Sequence, residues 1–292
     1  MALDPYILLA LLEGLVTSAI LALTAVGLSL VFGVMRVVNI AHGEFFMLGA
    51  VIAWGISTLM PGTPWLGFIA ALLVAPLVVG AIAALADGAI LKRLGYEPEA
   101  TIVATIGLLY ILQQAALSLY GPDARPVPAP INWQWELPWF GYPVYKLAVI
   151  GLAMVVLGLV WLFMTRSKAG LVMRATQIDG ETAQAFGINV SKVYRLVFAL
   201  GAGLAALAAV LIVPIQQAHY LMGHDPLLMS FAVVIIGGLG SVRGTLIAAL
   251  LIGLGDGLIS FYWSPLLAKI VSSLLVGMVL VFRPQGLFEV KA

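Results

Sequence analysis

Asn39, His42 and Glu44 stand close together in NIAHGEFF, between two long apolar runs. A histidine and a carboxylate so near each other can relay a proton or hold an ion. The spacing narrows this: His42 and Glu44 are two positions apart and fall on different faces of a helix. They do not form the H-E-x-x-H pattern of zinc hydrolases. His219, His224 and Asp225 make a second polar group, but GHDP at 223–226 reads as a turn and helix start, and the group offers too few ligands for a metal site. Glu13, Asp87 and Asp256 are the other acids in or near apolar runs. Asp256, between glycines in GLGDGLIS, is the best candidate for a buried polar contact, either with a neighbouring helix or in transport. An ionised side chain in hydrocarbon costs about 2.5–3.5 kcal/mol. These groups must therefore be wet, cavity-lining or paired. For Asn39, His42, Gly43 and Glu44 three roles stay open: Asn39 caps and Glu44 pins a following helix, the cluster gates a path, or it touches cargo. Arg36 reads as an anchor at the inner surface.

The elements that carry these residues are membrane spans. The chain has 292 residues, 63% hydrophobic and 9% charged, with mean hydropathy +1.12. Soluble domains carry about 25% charged residues. The apolar runs are long and uninterrupted, which excludes a β-barrel. A net charge of +1 gives no reason to expect nucleic acid, and the absence of cysteine removes thiol chemistry and disulfides. Asp4 and Glu13 in a start without basic residues argue against a cleaved signal peptide. The fold expected is an all-α polytopic membrane protein, one permease-sized domain over 1–292. It has about eight to ten transmembrane helices, with broken or re-entrant segments near 33–49 and 237–245. Spans are predicted near 6–33, 43–60, 66–91, 101–120, 144–165, 195–214, 226–240, 245–262 and 266–282. In the second broken segment Gly237, Gly238, Gly240 and Ser241 are candidates to line or gate a path, because unwound backbone is tolerated only where it lines a cavity or packs in protein.

Basic residues orient the chain. With the N-terminus outside, Arg36, Lys92, Arg93, Arg166, Lys168, Arg174, Lys192, Arg195, Arg243, Arg283 and Lys291 face the cytoplasm, and Arg125, Lys146 and Lys269 face out, eleven against three. The external loop at 121–143 carries three tryptophans, suited to a membrane interface or a docking surface. The cytoplasmic loop at 166–195 holds a short helix opened by Asp179 or Gly180 and stopped by Gly187. Glu181 lies in its first turn, and Ala183, Phe186 and Val190 give it a small apolar side. It has the form of a peg for a groove on another protein.

ETAQAFG at 181–187 resembles the EAA---G pattern in the cytoplasmic loop of ABC importer permeases. Glu181, Ala183 and Gly187 match; Thr182 replaces the second alanine, and the distal apolar-Leu-Pro ending is absent. VFGVMRVVNIAHGEFFMLGA at 31–50 and FAVVIIGGLGSVRGTLIAALLIG at 231–253 resemble the two signatures of the branched-chain amino acid permease family. FRPQGLF at 282–288 resembles its usual C-terminus, and the whole chain resembles the smaller permease subunit.

The resemblance implies a multi-pass subunit of the bacterial inner (cytoplasmic) membrane in an ATP-driven importer, itself not an enzyme. It implies a second, usually non-identical permease, two cytoplasmic ATPases and a periplasmic binding protein. Cargo would be Leu, Ile and Val or related small solutes; relatives are associated with urea, amides and aromatic acids. Glu181, Thr182, Ala183, Phe186 and Gly187 would couple to the ATPases. No G-x-x-x-x-G-K-[ST] occurs in the chain, so ATP would act on partner subunits, with no cofactor and no metal on this one. The alternative is an ion-coupled secondary transporter or channel with Glu44 or Asp256 as the coupling carboxylate. That alternative gives the cytoplasmic loop no task.

Overall fold

The computed structural model describes residues 5–282 and Gly286. Arg283, Lys291, most of FRPQGLF and Asp4 lie outside the described residues. The apolar runs fold as α1 (Pro5–Met35), α2 (His42–Leu59), α3 (Pro64–Ala89), α4 (Pro98–Tyr120), α5 (Val144–Arg166), α8 (Val190–Ile212), α9 (His224–Gly237), α10 (Val242–Tyr262) and α11 (Pro265–Phe282). Seven are long and apolar enough to cross a membrane; α9, at 14 residues, and α11 are the others. The chain is therefore an all-α polytopic membrane protein. Proline at the start of α3 and α4 supplies a preset φ where no amide partner is needed.

The segment 166–195 holds two helices between the long ones, α6 (Lys168–Ile178) and α7 (Gly180–Ala185). The sequence predicts only the second. Ser167 caps α6 by accepting from the Gly170 amide at 2.9 Å, and Met173 and Thr176 bury its inner side. In the segment 121–143, β1 (Gln134–Glu136) and β2 (Gly141–Pro143) pair antiparallel. Trp133, Trp135 and Trp139 around them are all more than half exposed.

α1 is the axis of the molecule. Every residue from Ser18 to Val31 is buried. α8 crosses it where Gly27 meets Gly201, and α10 runs antiparallel to it from Gly33–Gly240 up to Gly14–Gly257. By contrast α3, α4 and α5 turn large apolar side chains outward, among them Leu77, Val103, Leu119 and Leu159. Such faces suit lipid or a partner subunit. The buried Asp87 is paired with Arg195 at 3.4 Å across α3 and α8. The partner comes from a helix more than a hundred residues further along the chain. Glu13 on α1 pairs with Lys146 on α5 at 2.6 Å.

Candidate functional site

α2 does not start at the membrane surface. His42, its first residue, places Nε2 2.9 Å from the carbonyl of Thr24. Thr24 lies eleven residues short of the end of α1, roughly 16 Å at 1.5 Å per residue. The chain leaves α1, turns at Arg36 with φ +55° and climbs back through 37–41. Ile40 donates to Thr105 Oγ1 on α4 at 3.2 Å on the way. α9 does the converse. After α8 the chain dips back, so that Gly223 meets Gly43: a Cβ on Gly43 would sit 2.4 Å from the Gly223 carbonyl oxygen, and one on Gly223 2.1 Å from that of Gly43. Only glycine fits at both positions. Two helix N-termini thus converge inside the protein, one helix running outward and the other inward.

Asn39 is buried, but it is not the cap of α2. Its Oδ1 accepts from the Ala41 amide at 3.1 Å, and Ala41 occupies the cap position without a side-chain bond. Asn39 shapes the turn and the helix begins three residues later. A carbonyl can only accept, so His42 donates from Nε2–H to Thr24, and its buried Nδ1 has no partner. Glu44 is 1% exposed and neither carboxylate oxygen has a hydrogen bond. The nearest basic group is His224, with Nε2 3.7 Å from Glu44 Oε1 and 3.0 Å from the Gln113 amide nitrogen on α4. The pairing of Glu44 with His224 crosses 180 residues of sequence, and no local pattern announces it.

His224 opens onto a chamber of about 470 Å³ at the opposite end of α10 from Ser241. Ile20, Leu21, Phe46, Met229 and Ile252 form apolar walls; Gln216, His219, Asp225, Asp256 and Lys269 bring polar groups. Lys269 on α11 holds Asp225 on α9 at 2.6 Å. That pairing leaves Asp256 as the acid of the chamber without a bonded cation. Gly257 packs against Gly14 and fixes the Asp256 turn of α10 on α1.

Gly237, Gly238, Gly240 and Ser241 sit elsewhere, at the other end of α10. Gly238 and Gly240 take φ +96° and +81°, and Ser241 caps α10 by accepting from the Gly244 amide at 3.1 Å. Ser241 is separated from Asp256 by most of α10, on the order of 20 Å. The structure thus brings His42, Gly43 and Glu44 close to the chamber that Asp256 lines, and keeps the second glycine cluster apart.

α7 stands at the end of the molecule where α1 stops and α8 starts, sharing a cleft with Arg36 and Val190. Asp179 accepts from the amides of Glu181 and Thr182, each at 3.0 Å, and from the Thr182 hydroxyl. These bonds hold its carboxyl below the usual range, with a further contribution from the charge of Arg36. At the other end Gly187, at φ +85°, donates to Gln184, and Ile188 donates to Ala183. This two-bond stop is the Schellman pattern. Ala183 is buried and Phe186 is 84% exposed. The two do not share a face: Ala183 seats the helix, and Phe186 is its exposed aromatic side chain.

Among the described residues no group of three or more His, Cys, Asp or Glu is placed to hold a metal. A family model described as branched-chain amino acid transport system / permease component matches residues 10–283. The chain is 30% identical to the high-affinity branched-chain amino acid transport system permease protein LivH of Escherichia coli (strain K12), over 97% of this chain and 95% of that protein. It is 28% identical to the corresponding permease protein BraD of Pseudomonas aeruginosa, over 95% and 94%. Among solved structures, PsaBC from Streptococcus pneumoniae in complex with Fab aligns with a TM-score of 0.50 at 13% identity, covering 94% of this chain and 91% of that one. That likeness concerns the fold.

Proposed function

The chain belongs to the branched-chain amino acid transport permease family, and we propose that it forms the path for branched-chain or similar hydrophobic amino acids in an ATP-driven importer. It is a multi-pass inner-membrane transport subunit, not an enzyme. A second, non-identical permease completes the path, two cytoplasmic ATPases bind and hydrolyse ATP, and a periplasmic binding protein delivers cargo to the outer chamber. There the ammonium group of the amino acid meets Asp256, and its side chain lies on Ile20, Leu21 and Ile252. The arrival of the cargo offsets the cost of an unpaired carboxylate in an apolar setting.

The observation that carries this reading is α7. A six-residue helix with a complete cap at each end presents one exposed aromatic ring to the cytoplasm. A solvated connector has no need of such a ring; a knob for a groove on an ATPase does. Closure of the ATPases on ATP pushes α7, and the half-helices α2 and α9 shift around the chamber.

A specific observation favours a second reading: the buried Glu44, without a hydrogen bond and 3.7 Å from His224, would suit a proton-coupled carrier. Purification from native membranes separates the two. Co-purification of ATPases, lost on Phe186→Asp with the permease still folded, supports the importer. A chain that purifies alone and transports on an ion gradient in liposomes overturns it.

A further inference from the structure

At the inner end of the molecule, one side chain spans three structural units. Gln177, the penultimate residue of α6, donates from Nε2 to the carbonyl of Gly240 at 3.1 Å. The same nitrogen lies 3.0 Å from where a Cβ on Gly33 would be. Gly33 and Gly240 are themselves in backbone contact, with a Cβ on either falling within 2.9 Å of the other's Cα. Gly240 sits in the break between α9 and α10, so helix geometry gives its carbonyl no partner, and a side chain must satisfy it. An amide donor does this without burying a charge. Two residues on from Gln177, Asp179 caps α7. Across a cytoplasmic cleft of about 910 Å³, Arg36 faces Asp179 from the other side of the α1 turn.

We propose that Gln177 is the positioning residue that makes the coupling helix and both chain breaks move as one body. The inference rests on the importer reading above and adds the route by which a push on α7 reaches the chamber. Displacement of α7 carries the end of α6 through Asp179. The Gln177 bond passes it to Gly240, and the Gly33–Gly240 contact passes it to the end of α1. From there segment 36–41 delivers it to Gly43, which touches Gly223 at the head of α9. The second branch runs from Gly240 through Gly237, packed on Gly244, to the tail of α9. Both half-helices are thereby driven from one point.

The chain has no cysteine, so Leu171→Cys and Leu239→Cys, both at exposed positions, accept spin labels cleanly. Distances are measured by electron paramagnetic resonance in the assembled complex with its ATPases, nucleotide-free and ATP-trapped. The expected result is a label distance constant to within about 2 Å, the size of an ordinary helix shift. In Gln177→Leu the same distance should differ between the two states. ATP hydrolysis should continue while uptake per ATP falls about fivefold. A merely structural role would change yield or thermal stability but not the ratio of uptake to ATP. The proposal is overturned if the wild-type distance changes between states, or if Gln177→Leu transports at full stoichiometry. A chain that transports without ATPases removes the importer reading and this proposal together; the absence of co-purifying ATPase identifies that case.

Discussion

The molecule brings backbones together at paired glycines in several places, and two of these contacts have different surroundings. At the heart of the protein Gly43 and Gly223 bring two backbones into contact, and at the inner end Gly33 and Gly240 do the same. Around the first pair stand His42, Glu44, His224, Asp225 and, across the chamber, Asp256. Around the second stand a neutral amide, Gln177, and the cap serine Ser241. Under the proposed function, close backbone approach serves ligand chemistry in the first case and force transmission in the second. Glycine contact alone therefore does not mark a transport path; the polar groups brought to it do.

The largest test of this contrast is Gly43→Ala. Its methyl would meet the rigid Gly223 carbonyl at 2.4 Å, and overpacking of that kind costs up to about 3 kcal/mol. Loss of monodisperse protein in detergent and of all uptake is expected; normal uptake would break the claim that the two N-termini touch. Asp256→Asn should come next. Uptake falls about tenfold, the worth of one charge-assisted contact, with ATPase association intact, whereas Asp256→Glu retains most activity. Gly33→Ala should be milder, because one of its near neighbours, the Gln177 amide, is the end of a flexible side chain. We expect about 1 kcal/mol lost in thermal stability and a partial fall in uptake per ATP.

Glu44→Gln sharpens the contrast from the other side. It removes a buried charge that costs about 2.5–3.5 kcal/mol if ionised. Thermal stability should rise, and uptake should stay within about threefold of the parent on that energetic argument. Abolished uptake would instead favour the proton-coupled reading. The smallest effect is one of pH. Asp179 titrates below the usual carboxylate range because Thr182 and the helix amides bind its charged form. Its cap is fully present above about pH 4, the unfolded value, and is lost as pH falls through the lower folded value. Proteolysis at α7 in folded permease should accelerate only in that acid window, and Asp179→Asn should remove the dependence.

Much of this architecture is legible along the chain. Apolar runs bounded by Pro, Gly and polar clusters place the span boundaries within a few residues, with α8 beginning five residues earlier than predicted. The α7 cap and stop follow from Asp179 and Gly187. What escapes is whatever depends on chain reversal inside the membrane. The segment 213–223 reads as the outer end of a span, so nothing places His224 beside Glu44. Asp87 finds Arg195 rather than its sequence neighbours for the same reason, since pairing partners are chosen by helix contact. α6 escapes because its amphipathic pattern is short and mixed with basic residues that suit a solvated loop.

The complete burial of α1 from Ser18 to Val31 also has a meaning for biosynthesis. α1 is made long before α8 and α10, yet those two supply the neighbours that cover it. During that interval its stripe of glycines, Ser18, Thr24 and Ser29 faces lipid or other insertion machinery. A ribosome halted before residue 190 leaves a helix whose packing surface has no mate. Burial of the helix that organises the mature subunit therefore waits on helices encoded after residue 190.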